Sequence, residues 1–229
     1  KMMKSIMMKT ITLTLLAAFS LSALALPKLG GLSSLFEDDS EETASMDLPA
    51  AQSKLERTLR DALADLMEAE SHFADARGDA DAAAANKIQA DTLRGKDEVD
   101  IKEAMEATAS SREQSAKFEA SAGELSAEAK ALYAKGLLPY AKGVARTSKA
   151  TKQAKTWLDA AQKELKSIKN PMKLGKLKKS LGGGLSLART LPKFFKTLGA
   201  STKGVFSFAR TQKLDTKKAQ SSLGEDDFE

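Results

Sequence analysis

The chain contains no cysteine, which excludes disulfide staples, thiolate nucleophiles and cysteine-based metal sites. It has a single histidine, His72, so a Ser-His-Asp hydrolase and a carboxylate di-metal centre built on two Glu-x-x-His helices both lack parts. Aromatic residues make up only 5% of the chain, and much of the apolar content is alanine. A thick core is excluded on that composition, and long, thin helix contacts are expected in its place. No stretch alternates apolar and polar residues as a strand would. No repeat of fixed period is visible.

Acid is also absent where it matters. Between Leu165 and Leu214 there is no Asp or Glu, against 12 Lys and Arg. The imbalance extends over the whole chain. Residues Leu26 to Glu128 carry 24 acids and 11 bases, whereas Ala129 to Glu229 carry 7 acids and 22 bases. Such asymmetry points to an anionic partner for the basic half, or to two halves that pack together.

The N-terminus reads as a targeting segment. A basic KMMKSIMMK precedes an apolar run from Ile11 to Leu26, and Ala23 and Ala25 supply the small residues of an A-x-A cleavage site. The run is 16 residues long and contains Ser and Thr, short of the ~20 that a spanning helix needs. Residues 1–25 are therefore expected to be a signal peptide, with translation starting at Met2, Met3, Met7 or Met8. The exported protein is expected in the periplasm or outside the cell, peripheral to a membrane.

The rest divides by composition. Residues 26–48, with Glu37, Asp38, Asp39, Glu41 and Glu42, form a flexible acidic leader. A helical body spans 49–170, a basic amphipathic region 171–213, and a loose acidic tail 214–229. The first helix opens near Pro49 and carries the stripe Leu55, Leu59, Ala62, Leu66, Ala69 and Phe73, widened by Leu63 and Met67. Gly78 and the GDADAAAAN stretch mark a break or a weak alanine-rich helix running towards Arg94 and ended by Gly95. A long one is expected over 98–135, and a further one from Tyr140 to Ile168, stopped by Asn170 and Pro171. Gly136 and Pro139 predict a turn or kink, and Gly182, Gly183 and Gly184 a flexible joint. The fold class is all-α, an elongated bundle of long helices in helical-hairpin or coiled-coil-like packing.

The segment Leu187 to Lys213 holds six cations and four phenylalanines. At 100° per residue Leu187, Leu191, Phe194, Leu198, Val205 and Ala209 share one sector, flanked by Phe195, Phe206 and Phe208. Arg189, Lys193, Lys196, Lys203 and Arg210 collect opposite. A helix so divided can lie in a membrane interface, rings among acyl chains and cations at anionic headgroups. A surface helix with its apolar side turned inward has the same pattern. The candidate contact is Arg189, Lys193, Phe194, Phe195, Lys196, Lys203, Phe206 and Arg210.

Other motifs carry less. His72 and Glu68 lie four apart on one helix, but two ligands do not make a metal site. GGGLSLART lacks the preceding strand and the GK[ST] ending of a phosphate loop. Asp75, Asp79, Asp81 and Asp91 lack the order of a calcium loop. No cofactor, catalytic residue or metal is indicated, and the expectation is a non-enzymatic protein. Nucleic acid is disfavoured by export and by the absence of a binding motif, while a homo-oligomer stays open. A signal peptide, a pI near 9.2, no cysteine and alanine-rich helices are similar in composition to periplasmic holdase chaperones. That similarity implies client or partner proteins as the alternative to an anionic lipid or envelope surface.

Overall fold

The computed structural model describes residues 46–95 and 98–224. The expected signal peptide, all but the last residues of the acidic leader, and the final residues 225–229 lie outside the described residues. Six helices pack against each other, and no strand occurs among the described residues: α1 Leu48–Ala76, α2 Ala80–Arg94, α3 Ile101–Ser121, α4 Ala127–Ser167, α5 Pro171–Thr211 and α6 Lys217–Ser221. The all-α expectation holds.

Local chemistry sets the boundaries. Five helices begin on a side chain that accepts from an otherwise unpaired N–H of the first turn: Asp47 for α1, Asp79 for α2, Asp100 for α3, Ser126 for α4 and Asn170 for α5. Proline follows near the start of α1 and α5, where its missing N–H costs nothing. Gly78 ends α1 at φ +79, with Asp79 N–H reaching back to the Ala74 carbonyl. The end of α5 is closed in the same way by Lys213 at φ 60, a conformation less favourable to a side chain than to glycine.

The largest interface joins α1 to α4, and the predicted stripe makes it. Leu55, Leu59, Ala62, Leu66, Ala69 and Phe73 are all fully buried, as are Leu63 and Met67. The opposing side of α4 carries little bulk where the axes approach. Gly136 meets Phe73 and Gly143 meets Leu66, each glycine also facing a carbonyl of α1, from Ala69 and Ala62 respectively. The seven-residue spacing on α4 thus matches a seven-residue spacing, read in reverse, on α1.

That seam explains why Gly136 and Pro139, expected to interrupt the pattern, lie inside a continuous α4. A proline within a helix costs about 3 kcal/mol, which the tight contact along α1 offsets. A Cβ at position 143 would stand 2.6 Å from Leu66 Cγ and 3.0 Å from the Ala62 carbonyl oxygen. We expect Gly143→Ala to lower stability by ~1–2 kcal/mol, the strain of overpacking exceeding the gain in helix propensity. Gly182→Ala, where nothing lies within 4 Å, should instead raise it by ~0.5–1 kcal/mol. Thermal melts of the two variants check this, and equal gains from both would show that α1 and α4 separate at little cost.

Other expectations are revised. The helix predicted over 98–135 is two helices, α3 and α4, broken at residues 122–126. Gln212 at the end of α5 fixes this turn, donating from Nε2 to the Gly123 carbonyl at 3.0 Å and accepting from Leu125 N–H through Oε1 at 2.9 Å. The Gly182–Gly184 joint is helix. Gly184 is required there for close packing, since its Cβ would lie 2.7 Å from Trp157 Cη2. The tail expected to be loose contributes α6, with Ala219 and Leu223 buried. Apolar contact with α4 holds it.

Candidate anionic-surface interface

Helix α5 is 41 residues long with nine Lys and Arg and no acid. It packs on α4 and α3 through residues Leu181, Gly184, Ala188, Leu191, Phe195, Leu198, Thr202, Val205 and Ala209, all buried. Their steps alternate between three and four, so a single straight seam runs along most of the helix. Phe206 and Phe208 lie beside that seam and are buried as well.

The predicted contact residues therefore separate by chemistry. Arg189, Lys193, Lys196, Lys203 and Arg210 are exposed, and among the described residues none makes an ion pair within 4.0 Å. Phe195 and Phe206 are each 5% exposed, turned into the body, and Phe194 is half-buried. The periodicity placed the centre of the apolar sector near Phe194; the structure places it near Phe195 and Leu198. Bare lysines outward and rings inward make α5 a cationic rail whose grease is used by its own fold.

The cationic character continues onto the end of α4. Asn170 and Pro171 join α4 and α5 into a tight hairpin, and around that turn stand Lys163, Lys166, Lys169, Lys173, Lys176, Lys178 and Lys179, all exposed, against one acid, Glu164. On the other helices some cations are compensated, while exposed Lys54, Arg57, Lys142, Lys149 and Lys152 make no ion pair within 4.0 Å among the described residues. Asp65 on α1 takes Arg94 of α2 and Arg146 of α4, and Glu68 takes Arg94.

The pair Glu68 and His72 is thus not left free for a metal. His72 is half-buried, which pushes its imidazole below the ordinary value. Among the described residues no group of three or more His, Asp and Glu could hold a metal ion. No described helix is long and apolar enough to cross a membrane.

One buried polar assembly was not anticipated. Arg112 of α3, 4% exposed, donates from Nη1 to Glu70 Oε1 at 3.0 Å and from Nη2 to Glu119. Ser115 donates to Glu70 Oε2 at 2.6 Å, and Tyr133 donates to Glu119 at 2.7 Å. The guanidinium lies over the rings of Phe73 and Tyr140, at 5.4 and 5.7 Å. Burial pushes the Glu70 carboxyl up, while its two carboxylate neighbours hold Arg112 charged. Burial also raises Tyr133 and Tyr140, keeping both phenols protonated. Sequence alone gives one hint: Arg112 and Ser115 fall on the side of α3 that continues Ile101, Met105 and Thr108, where an apolar residue is expected. Compared with known proteins, the chain matches no family model, no curated protein and no solved structure.

Proposed function

We propose that the protein is an exported, non-enzymatic helical protein that binds an anionic membrane or envelope surface through its basic C-terminal helices. The observation that carries this reading is the row of exposed, acid-free cations on α5, continued by the lysines around the α4–α5 turn. Uncompensated lysines held in a line on rigid helix attract anionic headgroups, each contributing about 1 kcal/mol near such a surface at physiological salt. The finer architecture we read into the fold is an elongated bundle with coiled-coil-like packing. The matched seven-residue spacings of α1 and α4, and the three-four steps of α5, support it.

A second reading has its own support. Because Phe195, Phe206 and Phe208 are buried, the ring-bearing side of α5 is spent on the body, as in a soluble periplasmic scaffold. A holdase-type chaperone needs an exposed apolar surface for clients, and among the described residues the exposed large apolar side chains are only Met46, Ile88 and Met172. The scaffold form of this alternative is thus the better supported.

Cosedimentation separates the readings. The protein is expected to pellet with phosphatidylglycerol-rich vesicles at low salt, to release as salt rises, and to ignore phosphatidylcholine vesicles. Absence of binding to the anionic vesicles at low salt would overturn the surface-binding reading and leave the scaffold.

A further inference from the structure

Resting on the surface-binding reading, we propose that the contact is made end-on, by the tip of the α4–α5 hairpin, with an anionic lipid bilayer as its partner. The body of α5 beyond Gly184 follows rather than leads. The argument begins where α1 begins. Trp157 donates from Nε1 to the Leu48 carbonyl at 3.0 Å, and Gly184 lies against the same indole. Leu48 therefore stands level with Trp157 and Gly184. The last ten residues of α4, Leu158 to Ser167, and the matching start of α5 run on past the first described turn of α1, by roughly 15 Å at 1.5 Å per residue.

Within this extension the packing thins out. Ala161 and Leu181 are the last buried residues, and none between 162 and 180 is buried. Leu165, Ile168, Leu174 and Leu177 are only half-covered. Met172 at the turn is 73% exposed, the most exposed large apolar side chain among the described residues. A helical hairpin whose apex carries a bare methionine, backed by half-buried leucines and flanked by seven exposed lysines, has an apolar point and a cationic collar. Lys193, Lys196 and Lys203 have no companion as bare as Met172: Phe194 beside them is half-buried, and Phe195, Leu198 and Val205 are in the core. Charge complementarity therefore selects an anionic partner, and the exposed apex selects one with an apolar layer beneath the charge. A bilayer has both; a nucleic acid has only the first.

The chain has no cysteine, so single thiols can be placed at will. Met172→Cys and Ser207→Cys, the second exposed on the far half of α5, would each carry an environment-sensitive fluorophore. With phosphatidylglycerol-rich vesicles the label at 172 is expected to shift to the blue and the label at 207 to stay as in water. At about fivefold per lysine, the combined change Lys173→Glu, Lys176→Glu, Lys178→Glu and Lys179→Glu should lower vesicle partitioning at least ~100-fold at low salt. The combined change Lys193→Glu, Lys196→Glu and Lys203→Glu should lower it several-fold less. All seven positions are exposed, and helical circular dichroism verifies that both variants fold.

A blue shift at 207 without one at 172, or undiminished binding by the tip variant, would overturn the end-on contact while leaving surface binding intact. Tighter binding to duplex DNA than to vesicles at equal salt would overturn the lipid partner. No binding of the unaltered chain to anionic vesicles would take down this inference together with the function it rests on.

Discussion

Leu59→Asp is expected to abolish the cooperative thermal unfolding transition, and Glu56→Lys, one turn away on the same helix, to leave it within ~1 kcal/mol of the parent. Leu59 is fully buried in an apolar cluster to which α1, α2, α3, α4 and α5 all contribute. Removing it as alanine would already cost about 2–5 kcal/mol through lost contacts and a cavity. An aspartate adds a carboxylate with no cation placed to receive it, a further cost of several kcal/mol. The total reaches the entire ~5–15 kcal/mol by which a domain of this kind is stable. Glu56, by contrast, is half-buried and accepts from Gln52 Nε2 at 2.9 Å, a contact at the water boundary that contributes little. Circular dichroism melts of both variants decide the point. Equal, small losses would mean that the α1 stripe does not hold the body together.

That stripe was the most legible part of the fold. Its period of 3.5 residues is written in Leu, Ala and Phe, and the residues it selects on α1 are those the structure buries. The start of α1 was legible through Pro49 and the α4–α5 boundary through Asn170 and Pro171, whereas the caps Asp79, Asp100 and Ser126 were not read, although Asp and Ser ahead of a helical run signal one. What misled was glycine. Gly136 and Gly184, which like Gly143 lie in helix interiors, read as breaks or joints because a helix interior disfavours glycine by about 1 kcal/mol, a reading not made for Gly143. The role of all three is to let Phe73, Leu66 and Trp157 reach the opposing backbone, and that depends on partners far away in sequence. The turn at 122–126 was missed for the converse reason: a single Gly123 in an Ala and Ser context is a weak stop, and the group that fixes it, Gln212, comes from the end of α5.

The candidate surface was legible as charge and only partly as geometry. The acid-free run marked α5, and its cations are outside as expected. The periodicity put Phe194 at the centre of the apolar face, one residue from Phe195, which is where α5 meets its neighbours. A 100° step turns that single residue from half-buried to core. The lysine-rich hairpin apex could be recognised only once the start of α1 was placed beside Trp157.

The buried Arg112 assembly gives the second large effect. Arg112→Met should lower stability by about 3–5 kcal/mol at neutral pH, because it strands two carboxylates inside the body. In the parent, burial raises the Glu70 carboxyl while Arg112 and the Ser115 hydroxyl pull the other way. Burial and the neighbouring Glu119 charge remain when the cation is deleted, and with only Ser115 and the more distant Arg77 left to oppose them the carboxyl rises further. A carboxyl whose folded pKa lies above its unfolded value favours the fold below the unfolded value, near 4.5, and that contribution is lost as pH rises through the folded pKa. The deficit of Arg112→Met relative to the parent should therefore be smallest in mild acid and grow towards neutrality. Adding Glu70→Gln to Arg112→Met removes one of the stranded charges and should recover part of the loss at neutral pH, with little effect in acid. Urea unfolding at several pH values measures all three chains. A deficit that does not change with pH would mean that water reaches Glu70 and Glu119 once the guanidinium is gone, and that α3 is held by Ile101, Met105 and Phe118 alone.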